Sequence, residues 1–118
     1  MMEADIQKEI RKAISPFGTY FRANVGQAWT GNEIKILSNG DILIKNGRPF
    51  NSGLPKGFPD LFGFTLKNDV PVFTGIEVKG PKGRVHPDQQ HMIEFLKSRN
   101  VIIGVARSAD EAVHIIKG

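Results

Sequence analysis

Cysteine is missing from all 118 residues, which removes disulfides, thiolate metal sites and thiol nucleophiles together. Long apolar runs are missing too. No stretch reaches the roughly 18 residues that a membrane-spanning helix needs, so no membrane partner is expected. The opening MMEADIQKEIRK is charged and carries no apolar h-region, so secretion is not expected. Repeats, low-complexity tracts and linkers are absent, and the length allows one domain with one core over residues 1–118. His86, His91 and His114 show no zinc-ligand spacing, and Ser52 and Ser98 have no His/Asp pattern around them, so neither zinc nor serine chemistry is argued.

What is present is an excess of base. The net charge is +4 and the pI about 9.6, with a local set at Lys79, Lys82 and Arg84. Such a balance favours a polyanionic partner, nucleic acid first. Helical spacing of Ile6, Ile10 and Ala13/Ile14 predicts a first helix, with Lys8, Arg11 and Lys12 on its other faces, stopped by Pro16 and Gly18. TYFRANV reads as a strand, and NEIKILSNGDILIKNG as a hairpin turning at Asn39-Gly40. NGRPFNSGLPKGFP reads as a long loop. Two strands follow, and then a helix starting at Pro87 with Met92, Phe95 and Leu96 as its apolar stripe. VIIGVAR is a buried-type strand, and a last helix opens on a Ser108/Glu111 capping box. The expected class is α/β or α+β, a mixed sheet flanked by helices.

The informative stretch is GFPDLFGFTLKNDVPVFTGIEVKG. Its two apolar runs each carry an acid, Asp60 and Glu77, whose midpoint falls between Asn68 and Asp69, the turn-forming residues. A simple hairpin therefore sets the acids side by side, with Cβ atoms roughly 4.5–5.5 Å apart. Two carboxylates so placed among apolar neighbours repel, and a divalent cation with oxygen preference relieves the repulsion. Lys79 shares the face of Glu77 by alternation, while Ile76 and Val78 point into packing. Alone, Glu-x-Lys or Pro-Asp reads as a solvated strand or a turn; at matched register they read as a site.

PD at 59–60 and EVK at 77–79 resemble the PD-(D/E)xK nuclease superfamily, with its restriction-endonuclease-like core. More closely the chain resembles the VRR-NUC (virus-type replication-repair nuclease) family, in particular its small stand-alone viral and bacterial members. EADIQKEI resembles the family's Glu-x3-Gln opening, FRANVGQAW its arginine-asparagine-glycine strand, and HPDQQHMIEFL its glutamine-bearing helix. The resemblance covers nearly the whole chain. It implies a nuclease acting inside the cell, in the cytoplasm, with Mg²⁺ or Mn²⁺ held by Asp60, Glu77 and the Val78 carbonyl. Lys79 would position or polarise the attacking water. Glu3 would complete the metal site, with Glu9 the alternative, and Gln89 would stand near the metal in preference to Gln90. Gln7 shares the face of Glu3 and would line the same pocket.

Lys82, Arg84, His86, Arg22 and Lys56 are the expected nucleic-acid contacts. Trp29, Tyr20 and Phe21 are open to base stacking or to packing. The expected activity is hydrolysis of DNA phosphodiesters, selective for branched or junction DNA and carried out by a homodimer. A non-catalytic nucleic-acid-binding module of the same fold is the main alternative, and a basic scaffold protein that binds no metal a third reading.

Overall fold

The computed structural model describes residues 1–24 and 27–118; the Val25-Gly26 part of the FRANVGQAW motif lies outside the described residues. Two compact units are present, residues 1–23 with 56–118, and residues 24–55.

The first unit begins with α1 (Glu3–Ile14), whose Glu3 and Asp5 sit at its electropositive end and Arg11 and Lys12 at the other. Ile6, Ile10 and Ile14 recur every four residues and are buried. A 3-10 turn, Ser15–Phe17, closes the helix at Pro16. The sheet follows: β1 (Gly18–Arg22), then β6 (Leu61–Lys67), β7 (Val70–Val78) and β8 (Ile102–Ala106), in spatial order β1-β6-β7-β8. The first two pairings are antiparallel. The third is parallel, because α2 (Pro87–Lys97) carries the chain back across. The last helix is α3 (Ala109–Lys117). This is the expected mixed sheet flanked by helices.

Asn68 and Asp69 both take positive φ, 51° and 65°, which a two-residue type I′ connection requires at both central positions. That turn sets the ladder from Lys67↔Val70 out to Leu61↔Ile76, so the next pair out is Asp60 and Glu77. One sheet face carries Leu61, Ile76, Val78 and Ala106, which pack with the α1 isoleucines and with Ala112 and Ile116 of α3 as the core. Tyr20 belongs to that face. Its hydroxyl bonds Thr65 Oγ1 at 2.8 Å, which in turn bonds Thr74 Oγ1 at 2.7 Å, so packing rather than base stacking is its local role.

Two details differ from expectation. In α2 the buried residue is Ile93, with Met92 and Leu96 half-buried. Phe95 stays exposed beneath the Arg99 guanidinium, 5.0 Å from its ring centre. The inward line of α2 therefore runs Gln89–Ile93, which carries Gln89 toward the sheet. At α3 the Ser108 hydroxyl accepts the Glu111 N–H as expected, but the Glu111 carboxylate accepts from Arg107 N at 2.7 Å, one residue earlier than in a standard box.

The second unit holds two antiparallel pairs, β2 (Gln27–Thr30) with β5 (Arg48–Asn51), and β3 (Glu33–Ile36) with β4 (Ile42–Lys45). The expected hairpin is present, although its connection is longer than Asn39-Gly40 alone. Gly40, at φ 92°, donates its N–H to Leu37 O, and Leu37 N–H donates to Asp41 O. This is the three-residue form, a turn followed by a left-handed glycine. The β2–β5 ladder corrects the expected loop at 46–59. Pro49 lowers the strand signal of RPFN, yet a two-stranded ladder has outward edges where a missing N–H costs nothing. No helix among the described residues is long and apolar enough to cross a membrane.

Candidate active site

Asp60 sits one residue before β6, behind the buried Pro59. Its Oδ2 accepts the Val78 N–H at 2.8 Å and its carbonyl accepts the Ala23 N–H at 2.9 Å. The aspartate thus ties together the ends of three strands. A strand residue sends its N–H and C=O to the same side, which directs the Val78 carbonyl toward Asp60. The next N–H, that of Lys79, goes the other way, to Ala106 O at 3.1 Å.

Glu77 is 1% exposed. Its Oε1 accepts from the Gln89 side-chain amide at 3.2 Å, and the Gln89 Oε1 accepts the His86 N–H at 2.9 Å. The His86 N–H can only donate, so it fixes which end of the Gln89 amide faces Glu77. Gln90 takes no part and bonds Glu94 on the exposed side of α2. The second Glu77 oxygen, Oε2, is buried without a partner.

The Glu77 carboxyl is pushed from 4.5 up to about 9, burial being the largest cause. Asp60 adds to the rise through a side-chain hydrogen bond and its charge, the Lys79 charge pulls down, and the Glu3 charge pushes up. Lys79 is itself only 7% exposed, its stem running beside Gly83. Glu3 is exposed in the first turn of α1, and its Cβ stands 4.0 Å from where a side chain on Gly80 would begin. From there the Glu3 charge acts on Glu77. Gln7, the next residue of the Glu3 row, is half-buried.

Among the described residues no three Asp, Glu, His or Cys side chains converge on one point. The donor set is smaller: two carboxylates and a main-chain oxygen, with one carboxylate oxygen orphaned. All are hard oxygen donors. Mg²⁺ keeps several waters and takes one or two carboxylates, so the set fits that class of ion.

Lys56, Lys82, Arg84 and His86 lie on the segments leading into β6 and α2, next in the chain to Asp60 and to Lys79. Arg22 is exposed, but it pairs with Leu61, so alternation places it on the opposite face from Asp60.

Sequence reasoning did not single out three features. Arg107 donates to the Gly80 carbonyl at 2.7 Å and pins the chain where it leaves β7 after Lys79. Phe62 and Phe58 join Phe21 in an aromatic strip on the acids' face, with ring centres 6.0 and 5.4 Å apart. Gly57, at φ 86°, passes so close to α2 that a Cβ there would strike the Asp88 carbonyl and crowd Gln89 N. Gly57→Ala is therefore expected to cost roughly 1–3 kcal/mol of stability, read from a denaturant titration.

The VRR-NUC domain matches this chain over residues 2–110 of 118. No curated protein matches it. A VRR-NUC domain is a nuclease-type DNA-processing module of the PD-(D/E)xK kind.

Proposed function

From the premise that the chain belongs to the VRR-NUC family, we propose that it is a divalent-metal-dependent endonuclease hydrolysing DNA phosphodiester bonds. One observation carries the metal dependence: Glu77 is a buried carboxyl set against Asp60, with no N–H or hydroxyl donor to its Oε2, on the face that also presents Lys79. Asp60, Glu77, the Val78 carbonyl and Glu3 would hold Mg²⁺ or Mn²⁺. The ion, when bound, would neutralise charge on a phosphate oxygen and acidify a bound water.

The protein's own groups have separable roles in this reading. Asp60, held by the Val78 N–H, presents its remaining oxygen in a fixed direction. Gln89 orients Glu77 through one oxygen and leaves the other free. Lys79 positions the attacking water from a site that excludes most solvent. Lys56, Lys82, Arg84 and His86 contact phosphates along the DNA, whereas Arg22, on the face opposite Asp60, lies off that path.

Selectivity for branched or junction DNA and action as a homodimer belong to the same proposal. Ile34, Ile36 and Ile42, which share one face of the β3–β4 pair, are exposed apolar side chains, which supports a self-associating surface. A gel-filtration mass equal to one chain at micromolar concentration would remove the dimer.

Nicked, flapped and four-way DNA incubated with Mg²⁺, Mn²⁺ or EDTA tests the activity. Cleavage is expected with either metal, and loss of it in EDTA and in Asp60→Asn. DNA binding without cutting under every condition would instead establish a non-catalytic module.

A further inference from the structure

Lys8, Arg11, Lys12 and Ser15 recur at i, i+3, i+4 and i+7 along α1, which puts them on one helical face. That face looks away from the buried Ile6, Ile10 and Ile14. With Thr19 and Tyr20 of β1 it lines a groove of 480 Å³. All three cations are exposed. None has a carboxylate partner among the described residues, where both ion pairs are made by Glu33. Arg11 and Lys12 offset the helix dipole in the last turn. Lys8 lies a turn earlier, beyond that effect, and nothing in the site built on Asp60 and Glu77 uses any of the three.

We propose that this groove binds the phosphate backbone of nucleic acid away from the reacting phosphate, as an anchoring surface separate from the loop of Lys82 and Arg84. The proposal rests on the nuclease reading, which supplies DNA as the polyanion. Charge complementarity selects the occupant. Three cations without an ion-pair partner among the described residues flank the concavity. The Ser15 and Tyr20 hydroxyls there already bond the Lys12 carbonyl and Thr65, so the cations carry the contact, and such groups meet phosphate rather than base edges. β1 is the outer strand of its sheet and offers outward main-chain N–H groups to the same ligand. From Lys8 to Lys12 the helix rises about 6 Å, the axial length of roughly two nucleotides of one strand. Lys8 lies roughly 140° around the helix from Glu3, and the acids alternate onto the sheet face opposite the one that α1 packs on. The phosphates bound here therefore belong to a part of the DNA remote from the one being cut.

The test is fluorescence anisotropy with labelled duplex and four-way DNA in EDTA, over a series of salt concentrations. The unmodified protein is compared with Lys8→Ala/Arg11→Ala/Lys12→Ala, and with the charge-keeping Lys8→Arg/Arg11→Lys/Lys12→Arg. Alanine suits an exposed helix position, and circular dichroism confirms the fold. The triple alanine variant is expected to flatten the log K against log salt slope by about 2–3, near 0.9 per lost phosphate contact, and to weaken binding at least about tenfold at low salt. The charge-keeping variant retains the slope. Unchanged slope and affinity in the alanine variant, beside normal cleavage by the unmodified protein, overturns the groove alone and leaves it to an acidic protein partner. Absence of DNA binding by the unmodified protein overturns both the groove and the nuclease reading.

Discussion

Glu77→Gln is expected to abolish cleavage and, in the same protein, to make the metal-free fold more stable in alkaline solution. In the unfolded chain this carboxyl loses its proton near 4.5; in the folded protein the proton is held, chiefly by burial, until about 9. Between those values the folded state carries the extra proton, so raising the pH favours unfolding. The stabilisation is complete below about pH 4.5 and is lost as the pH climbs through about 9, at no more than about 1.4 kcal/mol per pH unit. The amide that replaces the carboxyl cannot titrate, and its oxygen still accepts from Gln89. Thermal or urea unfolding in EDTA should therefore decline with pH in the unmodified protein and stay flatter in the variant. Mn²⁺ should raise the stability of the unmodified protein at pH 8 and leave the variant nearly unmoved. Cleavage should drop by about 10³-fold or more, since the interactions lost are worth several kcal/mol in the transition state. Identical pH profiles for the two proteins would contradict a buried acid that keeps its proton in the folded state. Retained cleavage would remove Glu77 from the chemistry.

The arrangement behind that expectation is legible in the sequence, and the reason is local. The turn Asn68-Asp69 lies midway between the acids, both its residues accept positive φ, and the alternating apolar residues forbid a one-residue slip. That register is encoded within about a dozen residues of the groups concerned. The preference for Gln89 over Gln90 rests on the family resemblance; its line with Ile93 appears only once the buried side of α2 is seen.

What stays illegible depends on partners far along the chain. Arg107 and the Gly80 carbonyl meet across 27 residues, and a lone arginine before a capping serine carries no periodicity that points there. The β2–β5 ladder joins Gln27–Thr30 to Arg48–Asn51, two four-residue strands too short for alternation to stand out, one of them containing Pro49. Phe95 looks like core by spacing, yet the side of α2 turned to the sheet is narrow enough for Ile93 to fill it. The aromatic strip of Phe21, Phe58 and Phe62 needs the strands in register before its members become neighbours.

Lys79→Met should separate what the lysine does by charge from what it does by contact. Methionine keeps an unbranched stem beside Gly83 in a residue that is 7% exposed as a whole, so the fold should be held. Cleavage should fall about 10²–10⁴-fold, the range expected when a group that handles the reacting water is lost. A second effect follows from the neighbour. The Lys79 charge draws the Glu77 carboxyl downward, so without it Glu77 holds its proton to still higher pH, and Mn²⁺ binding followed by calorimetry should need more alkaline solution. Lys79→Arg restores that charge but brings a planar, bulkier group that does not give up its proton. Manganese binding should then return to its original pH dependence while cleavage stays low. Cleavage recovering with arginine would reduce Lys79 to a counter-charge for the acids. Cleavage unaffected by methionine would exclude the lysine from the reaction, although Asp60 and Glu77 would remain on one face of the sheet.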